Sequence, residues 1–215
     1  MDLTAEKFPH FDEAGKALVR KAYEIAAEVL KDDTRDNGAP FIEHPLGVAL
    51  IASDEIGLPA VCVAAVFLHE ATRKHPETDI SQAGFPEEVL KIVEGLNKIS
   101  TIKPKDTRLE AENYKKLIVQ YSTDPRVTVL KIADRLEVMR NLGMFPKLSR
   151  ERKILETLML YIPLAHQLGL FLDLRALGRD LARNRASGQG PDEITSPQHT
   201  DRCGQSRDDN CFSHI

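Results

Sequence analysis

Hydrophobic positions recur with a helical period along most of the chain. Between residues 14 and 30, Leu18, Ala22, Ile25, Ala26 and Val29 fall on one face and predict an amphipathic helix. Residues 44–56 and 59–71 predict two helices separated at Gly57-Leu58-Pro59, with Pro59 in the first turn of the second. The stretch Val-Cys-Val-Ala-Ala-Val-Phe-Leu at 61–68 is apolar all round. A buried strand would read this way too, but its continuation into Leu68-His69-Glu70-Ala71 and its helical neighbours favour a central buried helix. Phe85-Pro86-Glu87-Glu88 opens a further helix, with acidic residues where the helix dipole favours them. Glu110 to Gln120 is also helical in pattern. Asp124-Pro125 reads as an N-cap followed by proline at the first helical position, starting a helix that runs to about Leu142. Ser149 is expected to cap the next helix, which runs to about Tyr161 and is broken by Pro163. No hairpin dipeptide separates alternating runs. The expected fold is therefore all-α, a bundle of about eight helices.

Composition narrows the function classes more than the fold. The 215 residues are 42% hydrophobic and 29% charged, enough for one core or one core with an appendage. A formal net charge of −4 argues against a nucleic-acid coat and against a polybasic membrane anchor. No apolar run approaches the ~20 residues that span a bilayer, and Met-Asp-Leu-Thr-Ala-Glu-Lys is not a secretory signal. Cys62, Cys203 and Cys211 have no metal-type spacing and are odd in number, so a reducing cytoplasm is expected. From Arg183 the period disappears among Ser, Gln, Asp and Gly. Residues 1–182 are expected to form the helical unit and 183–215 a poorly ordered tail. Cys203 and Cys211, with His199 and His214 nearby, match no standard metal site.

Four polar residues stand where the pattern places core. His44 opens a helix after Pro40-Phe41-Ile42-Glu43, His69 and Glu70 end the buried helix, and Asp134 follows the apolar run Val127–Ala133. A buried carboxylate is normally paired or bound to a metal. Two histidines and two carboxylates suit Mn²⁺, Fe²⁺ or Zn²⁺, and such an ion would generate a hydroxide for phosphoester cleavage. Each has a plainer reading: His44 as a helix cap or core histidine, His69-Glu70 as a solvated helix end, Asp134-Arg135 as an ion pair. Spacing leaves both readings open.

Taken together, Phe41-Ile42-Glu43-His44-Pro45-Leu46-Gly47-Val48-Ala49, Ala64-Ala65-Val66-Phe67-Leu68-His69-Glu70, Lys131-Ile132-Ala133-Asp134-Arg135-Leu136 and Pro163-Leu164-Ala165-His166-Gln167-Leu168-Gly169 resemble the N-terminal HD hydrolase domain of the RelA/SpoT homologue family. The resemblance covers residues from about 12 to about 172. It implies a helical HD-domain bundle that removes the 3′-pyrophosphate of the stringent-response alarmones (p)ppGpp, guanosine tetra- and pentaphosphate, using one Mn²⁺. It places the metal ligands on His44, His69, Glu70 and Asp134, and nucleotide contacts on Arg35, Asn37 and Asn141, with Arg35 near the guanine. It further implies a synthetase domain C-terminal to this one in a longer chain, which the present chain is too short to hold.

The departures from the family pattern bear on activity. Active members follow the His-Asp dyad with an acidic pair that positions and deprotonates water. This chain reads His69-Glu70-Ala71-Thr72-Arg73-Lys74-His75, with two cations in that place. At ~5 Å and an effective dielectric of ~20, a cation facing a dication is repelled by several kcal/mol. Glu70 replaces Asp, Glu137-Val138 replaces His-Asn, Asn141 replaces Thr, and Asp36 replaces a base. Glu77 and Asp79 would need a loop shift to serve as the base. Arg73 and Lys74 either complement the helix dipole as a solvated terminus or occupy the metal position and pair with Glu70 or Asp134. Lys98, Lys103 and Lys105 form a basic stretch that reads as a phosphate contact or as a surface loop. The expectation is a degenerate hydrolase domain with a regulatory role. The alternatives are an active Mn²⁺-dependent hydrolase and a non-catalytic guanine-nucleotide binding module.

Overall fold

The computed structural model describes residues 6–100 and 123–169. Among the described residues six longer helical rods form, α1 (Glu13–Val29), α2 (43–55), α3 (Ala60–Lys74), α4 (Glu87–Ser100), α5 (Pro125–Arg140) and α6 (147–167), with a 3-10 turn at Leu142–Met144 and an isolated antiparallel bridge between Thr34 and Pro40. The expected all-α bundle is what forms. The helix predicted at Glu110–Gln120 and the tail at 183–215 lie outside the described residues.

Local signals explain most of the boundaries. Asp12 caps α1 by accepting from the Gly15 amide at 2.8 Å, and the Asp124 side chain caps α5 ahead of Pro125. The α1 stripe is centred on Val19, Ala22 and Ala26, which are buried, with Leu18, Ile25 and Val29 flanking it half-buried. Gly57, at φ 79°, turns the chain between α2 and α3 in a conformation costly for other residues. Pro59 then stands one residue before the first turn of α3.

Two expectations at α6 are corrected. The helix begins at Lys147 behind Pro146, not at a Ser149 cap. The Pro146 ring holds φ at −57° and carries no N–H to leave unsatisfied, so the chain enters the helix before Ser149. Nor does Pro163 break the helix. It follows a π turn at Thr157–Tyr161, where the ladder has already left α spacing, and Ile162–Gln167 continues the rod. A similar π turn, Ile51–Glu55, ends α2 after the α-helical Glu43–Leu50.

The centre of the bundle is α3, which packs against α1, α2, α4 and α5. Every side chain from Cys62 to Ala71 is buried, which settles the strand-or-helix ambiguity of that apolar run. Tyr23 of α1 meets Phe67 edge-on at 5.5 Å between ring centroids. Full burial of residues such as Phe67 and Leu68 contributes about 1.5–3 kcal/mol each. That burial fixes the position of the polar C-terminal half of the same helix. No helix among the described residues is long and apolar enough to cross a membrane.

Candidate functional site

The fold brings together the four predicted ligands. His44 enters from the first turn of α2, His69 and Glu70 from the second half of α3, and Asp134 from the middle of α5. His44 Nε2 lies 3.3 Å from Asp134 Oδ1 and 3.9 Å from Glu70 Oε1, while His69 Nε2 lies 3.5 Å from Glu70 Oε1. Both rings are anchored through Nδ1, His44 to Glu137 Oε2 at 2.6 Å and His69 to Asn97 Oδ1 at 2.7 Å. Anchoring Nδ1 in this way turns each Nε2 toward the carboxylates.

The charges at this centre are already compensated from within. Arg73, one turn beyond Glu70 on α3, donates from both Nε and Nη2 to Glu70 Oε2. Lys131, one turn before Asp134 on α5, donates its ammonium to Asp134 Oδ2 at 2.6 Å. Burial opposes charge on His44, but hydrogen bonds to Asp134 and Glu137 outweigh it and hold its pKa up at about 10. Burial and the Lys131 ammonium push His69 down to about 4, so its ring is neutral. Burial would raise both carboxyls, yet Lys131 and His44 hold Asp134 well below its usual range, and the charges of His44 and Arg73 lower Glu70.

This arrangement does not fit a divalent ion as it stands. The donor types suit one, but among the described residues no group of three or more His, Cys, Asp or Glu side chains is placed to hold it. Glu70 Oε2 and Asp134 Oδ2 are taken by side-chain cations, and His44 Nδ1 is engaged by Glu137.

Lys74 turns away from the carboxylate pair. It lies 3.4 Å from Asp33 and 4.2 Å from the centroid of the Phe41 ring. Glu77 and Asp79 do not line the cavity at this centre. Glu77 meets His75 at 3.3 Å, and Asp79 accepts from the Ser81 amide at 2.8 Å. Asn37 caps a turn through the Ala39 amide at 3.1 Å and stands away from the cavity. Lys98 pairs with Glu94 at 2.6 Å. Lys103, Lys105, Cys203, Cys211, His199 and His214 lie outside the described residues.

The structural roles of three residues were not legible in the sequence, where Glu137 stood only as a departure from the family's His-Asn. Glu137 is buried and accepts from Arg35 Nη2 at 2.8 Å, from Asn141 Nδ2 at 2.8 Å and from His44. It thereby ties two of the three predicted nucleotide contacts, Arg35 and Asn141, to the centre. Lys131 was visible only as a lysine inside an apolar run, three residues before Asp134. Asn97 left no signal beyond its place on the face of α4 that carries Val93 and Leu96.

The centre opens into a cavity of about 460 Å³, lined by residues of the 34–41 loop, α3, α5 and α6. The sequence matches the HD domain family HD_4 over residues 22–171, a span that contains all four converging residues. The chain belongs to the HD-domain family. Its curated relatives include a guanosine-3′,5′-bis(diphosphate) 3′-pyrophosphohydrolase of Aquifex aeolicus, 40% identical over 154 residues. They also include the bifunctional (p)ppGpp synthase/hydrolase SpoT of Escherichia coli K12, 38% identical over 155 residues. Each of those matches covers 71% of this chain and 22% of the relative. A GTP pyrophosphokinase of Streptomyces antibioticus is 34% identical over 164 residues, 75% of this chain and 19% of that protein. The chain thus spans about a fifth of the length of the curated relatives it matches, in their HD region.

Proposed function

We propose that this chain is an HD domain of the (p)ppGpp synthetase/hydrolase type whose hydrolytic centre is degenerate and whose role is regulatory, exerted on a synthetase domain of a longer protein. The observation that carries this reading is the Arg73 guanidinium seated on Glu70. At the positions where the family resemblance calls for water-activating acids, the chain supplies a cation that neutralises a metal-ligand candidate. A general base must lie within hydrogen-bond reach of its water and be free to take a proton. The carboxylates lining the cavity are Asp36, Glu70 and Asp134, and the last two are engaged by Arg73 and by Lys131 and His44. Residues 1–182 are the proposed HD unit and 183–215 the proposed tail, in a cytoplasmic protein.

A second reading, an active Mn²⁺-dependent 3′-pyrophosphohydrolase, draws support from the convergence of His44, His69, Glu70 and Asp134. In it these four residues would be the ligands and Arg73 would swing away. The experiment is incubation of the chain with guanosine tetraphosphate and excess Mn²⁺, following pyrophosphate release, beside Arg73→Glu/Lys74→Asp. Silence from the unmodified chain is expected. Its Mn²⁺-dependent turnover would establish the second reading instead.

A further inference from the structure

Asn97 of α4 stands between two side chains of α3. Its Oδ1 lies 2.7 Å from His69 Nδ1, and its Nδ2 lies 3.2 Å from Thr72 Oγ1. A side-chain amide can face two neighbours in either sense, and a neutral imidazole can carry its proton on either nitrogen. The two choices are linked at Asn97, and Thr72 makes them.

A threonine hydroxyl has one proton to give. Thr72 Oγ1 lies 2.9 Å from the Leu68 carbonyl oxygen and 3.2 Å from that of His69, and both of these can only accept. Its proton is spent there, so towards Asn97 the hydroxyl is an acceptor. Asn97 therefore turns its amino group to Thr72 and its oxygen to His69. That oxygen accepts only from an Nδ1–H, which leaves Nε2 of the buried ring bare. Nε2 faces Glu70 Oε1 at 3.5 Å and Ser100 Oγ at 3.4 Å. Ser100 gives its own proton to the Leu96 carbonyl at 2.9 Å, and Arg73 grips the other oxygen of Glu70.

We propose that Asn97, oriented by Thr72, is a positioning residue of the centre: it holds His69 in the Nδ1–H form and presents Nε2 as an acceptor beside Glu70 Oε1. This role rests on the proposed reading of His44, His69, Glu70 and Asp134 as one centre, and it holds whether or not that centre hydrolyses anything. It divides the centre into two sides. Side-chain cations cap Glu70 Oε2 and Asp134 Oδ2, whereas the imidazole side stays open to an O–H or N–H donor entering from outside. With Asn97 turned the other way, Nε2 would carry the proton and give it to Glu70, and that side would be closed as well. Fixing which ring nitrogen is bare through a partner on the other nitrogen is how a buried histidine is oriented in general.

The test is nitrogen NMR of the full chain carrying isotopically labelled histidine, at neutral pH, with the His69 signals assigned as those lost in His69→Gln. A protonated and a bare imidazole nitrogen differ widely in shift, and couplings to the ring protons tell Nδ1 from Nε2. The expected spectrum has Nδ1 in the protonated range and Nε2 in the bare range. Thr72→Ser keeps the hydroxyl and should leave both signals in place. Thr72→Val frees the amide to turn and Asn97→Leu removes the acceptor, so both should shift His69 towards the Nε2–H form. His44, anchored by Glu137 instead, should keep its signals in all three. A proton on Nε2 in the unmodified chain would overturn the proposal, as would protons on both nitrogens. His69 signals unchanged in both Thr72→Val and Asn97→Leu would overturn it too. Hydrolysis is read separately: Mn²⁺-dependent turnover of guanosine tetraphosphate defeats the degenerate reading, while the role of Asn97 stands or falls on the spectrum.

Discussion

Arg73 and Glu70 lie one turn apart on α3, and the guanidinium closes over the carboxylate Oε2 through two donors. Glu70 is buried, whereas the Arg73 side chain is 38% exposed, so the pair joins a fixed anion to a cation that can leave. Arg73→Ala should destabilise the protein in EDTA by about 1–3 kcal/mol, because Glu70 loses a partner inside the fold. If Arg73 occupies the charge position of a metal, Mn²⁺ should restore part of the lost melting temperature in this variant and change little in the unmodified protein. Thermal melts with and without Mn²⁺ check both. Equal responses of the two proteins would remove Arg73 from that role.

Glu137 is the anchor between the centre and its rim. Its carboxylate takes Arg35, His44 and Asn141 together. Glu137→Ala leaves the buried Arg35 without the carboxylate it pairs with, takes one of the carboxylates that hold His44, and should cost about 3–5 kcal/mol in urea unfolding. Glu137→Gln, which keeps the shape and loses the charge, should cost less. A smaller loss from Ala than from Gln would contradict this account.

The same carboxylate explains a glycine. A Cβ at Gly47 would stand 2.9 Å from Glu137 Cγ, too close for two carbons. Gly47→Ala should therefore destabilise by about 1–3 kcal/mol despite its better helix propensity. An unchanged or raised melting temperature would show that Glu137 can move aside.

The Asp33–His75 pair sets a pH dependence. His75 Nε2 lies 2.7 Å from Asp33 Oδ2, and this hydrogen bond raises the His75 pKa above 6.5 and lowers that of Asp33 below 3.8. The histidine contribution is complete below its unfolded pKa and disappears as pH rises through the elevated folded value. The aspartate contribution is complete above 3.8 and disappears as pH falls through the depressed one. The pair should stabilise most between roughly pH 4 and 6.5. His75→Gln should flatten the urea midpoint across that window relative to the parent.

Cys62 offers a probe of the core. Burial pushes its thiol up to about 11, and on the core face of α3 it has no exposure to solvent. With Cys203→Ser and Cys211→Ser in the background, alkylation at pH 8 should be slow in the folded protein and fast in denaturant. Rapid native labelling would mean that α3 opens locally.

How far the sequence carried the fold depends on the range of each signal. The α1 stripe, the Asp124-Pro125 start of α5 and the buried run of α3 are local patterns, and each formed as expected. The convergence of His44, His69, Glu70 and Asp134 was legible because each stood as a polar interruption at an apolar position. Glu137 was not, because its partners Arg35 and His44 are 102 and 93 residues away and nothing near it marks it as buried. Pro163 misled for the opposite reason. A local breaker rule holds for α spacing, and the π turn at Thr157–Tyr161 had already suspended that spacing.

Because α3 is both the spine of the core and the bearer of His69, Glu70 and Arg73, the site has no hinge of its own. Its amides should exchange with solvent only through whole-domain unfolding, at a cost near the global stability. Anything bound there in the native state but not in the unfolded chain must then tighten the entire bundle, and its occupancy can be read at residues as remote as the α1 face that packs on Phe67.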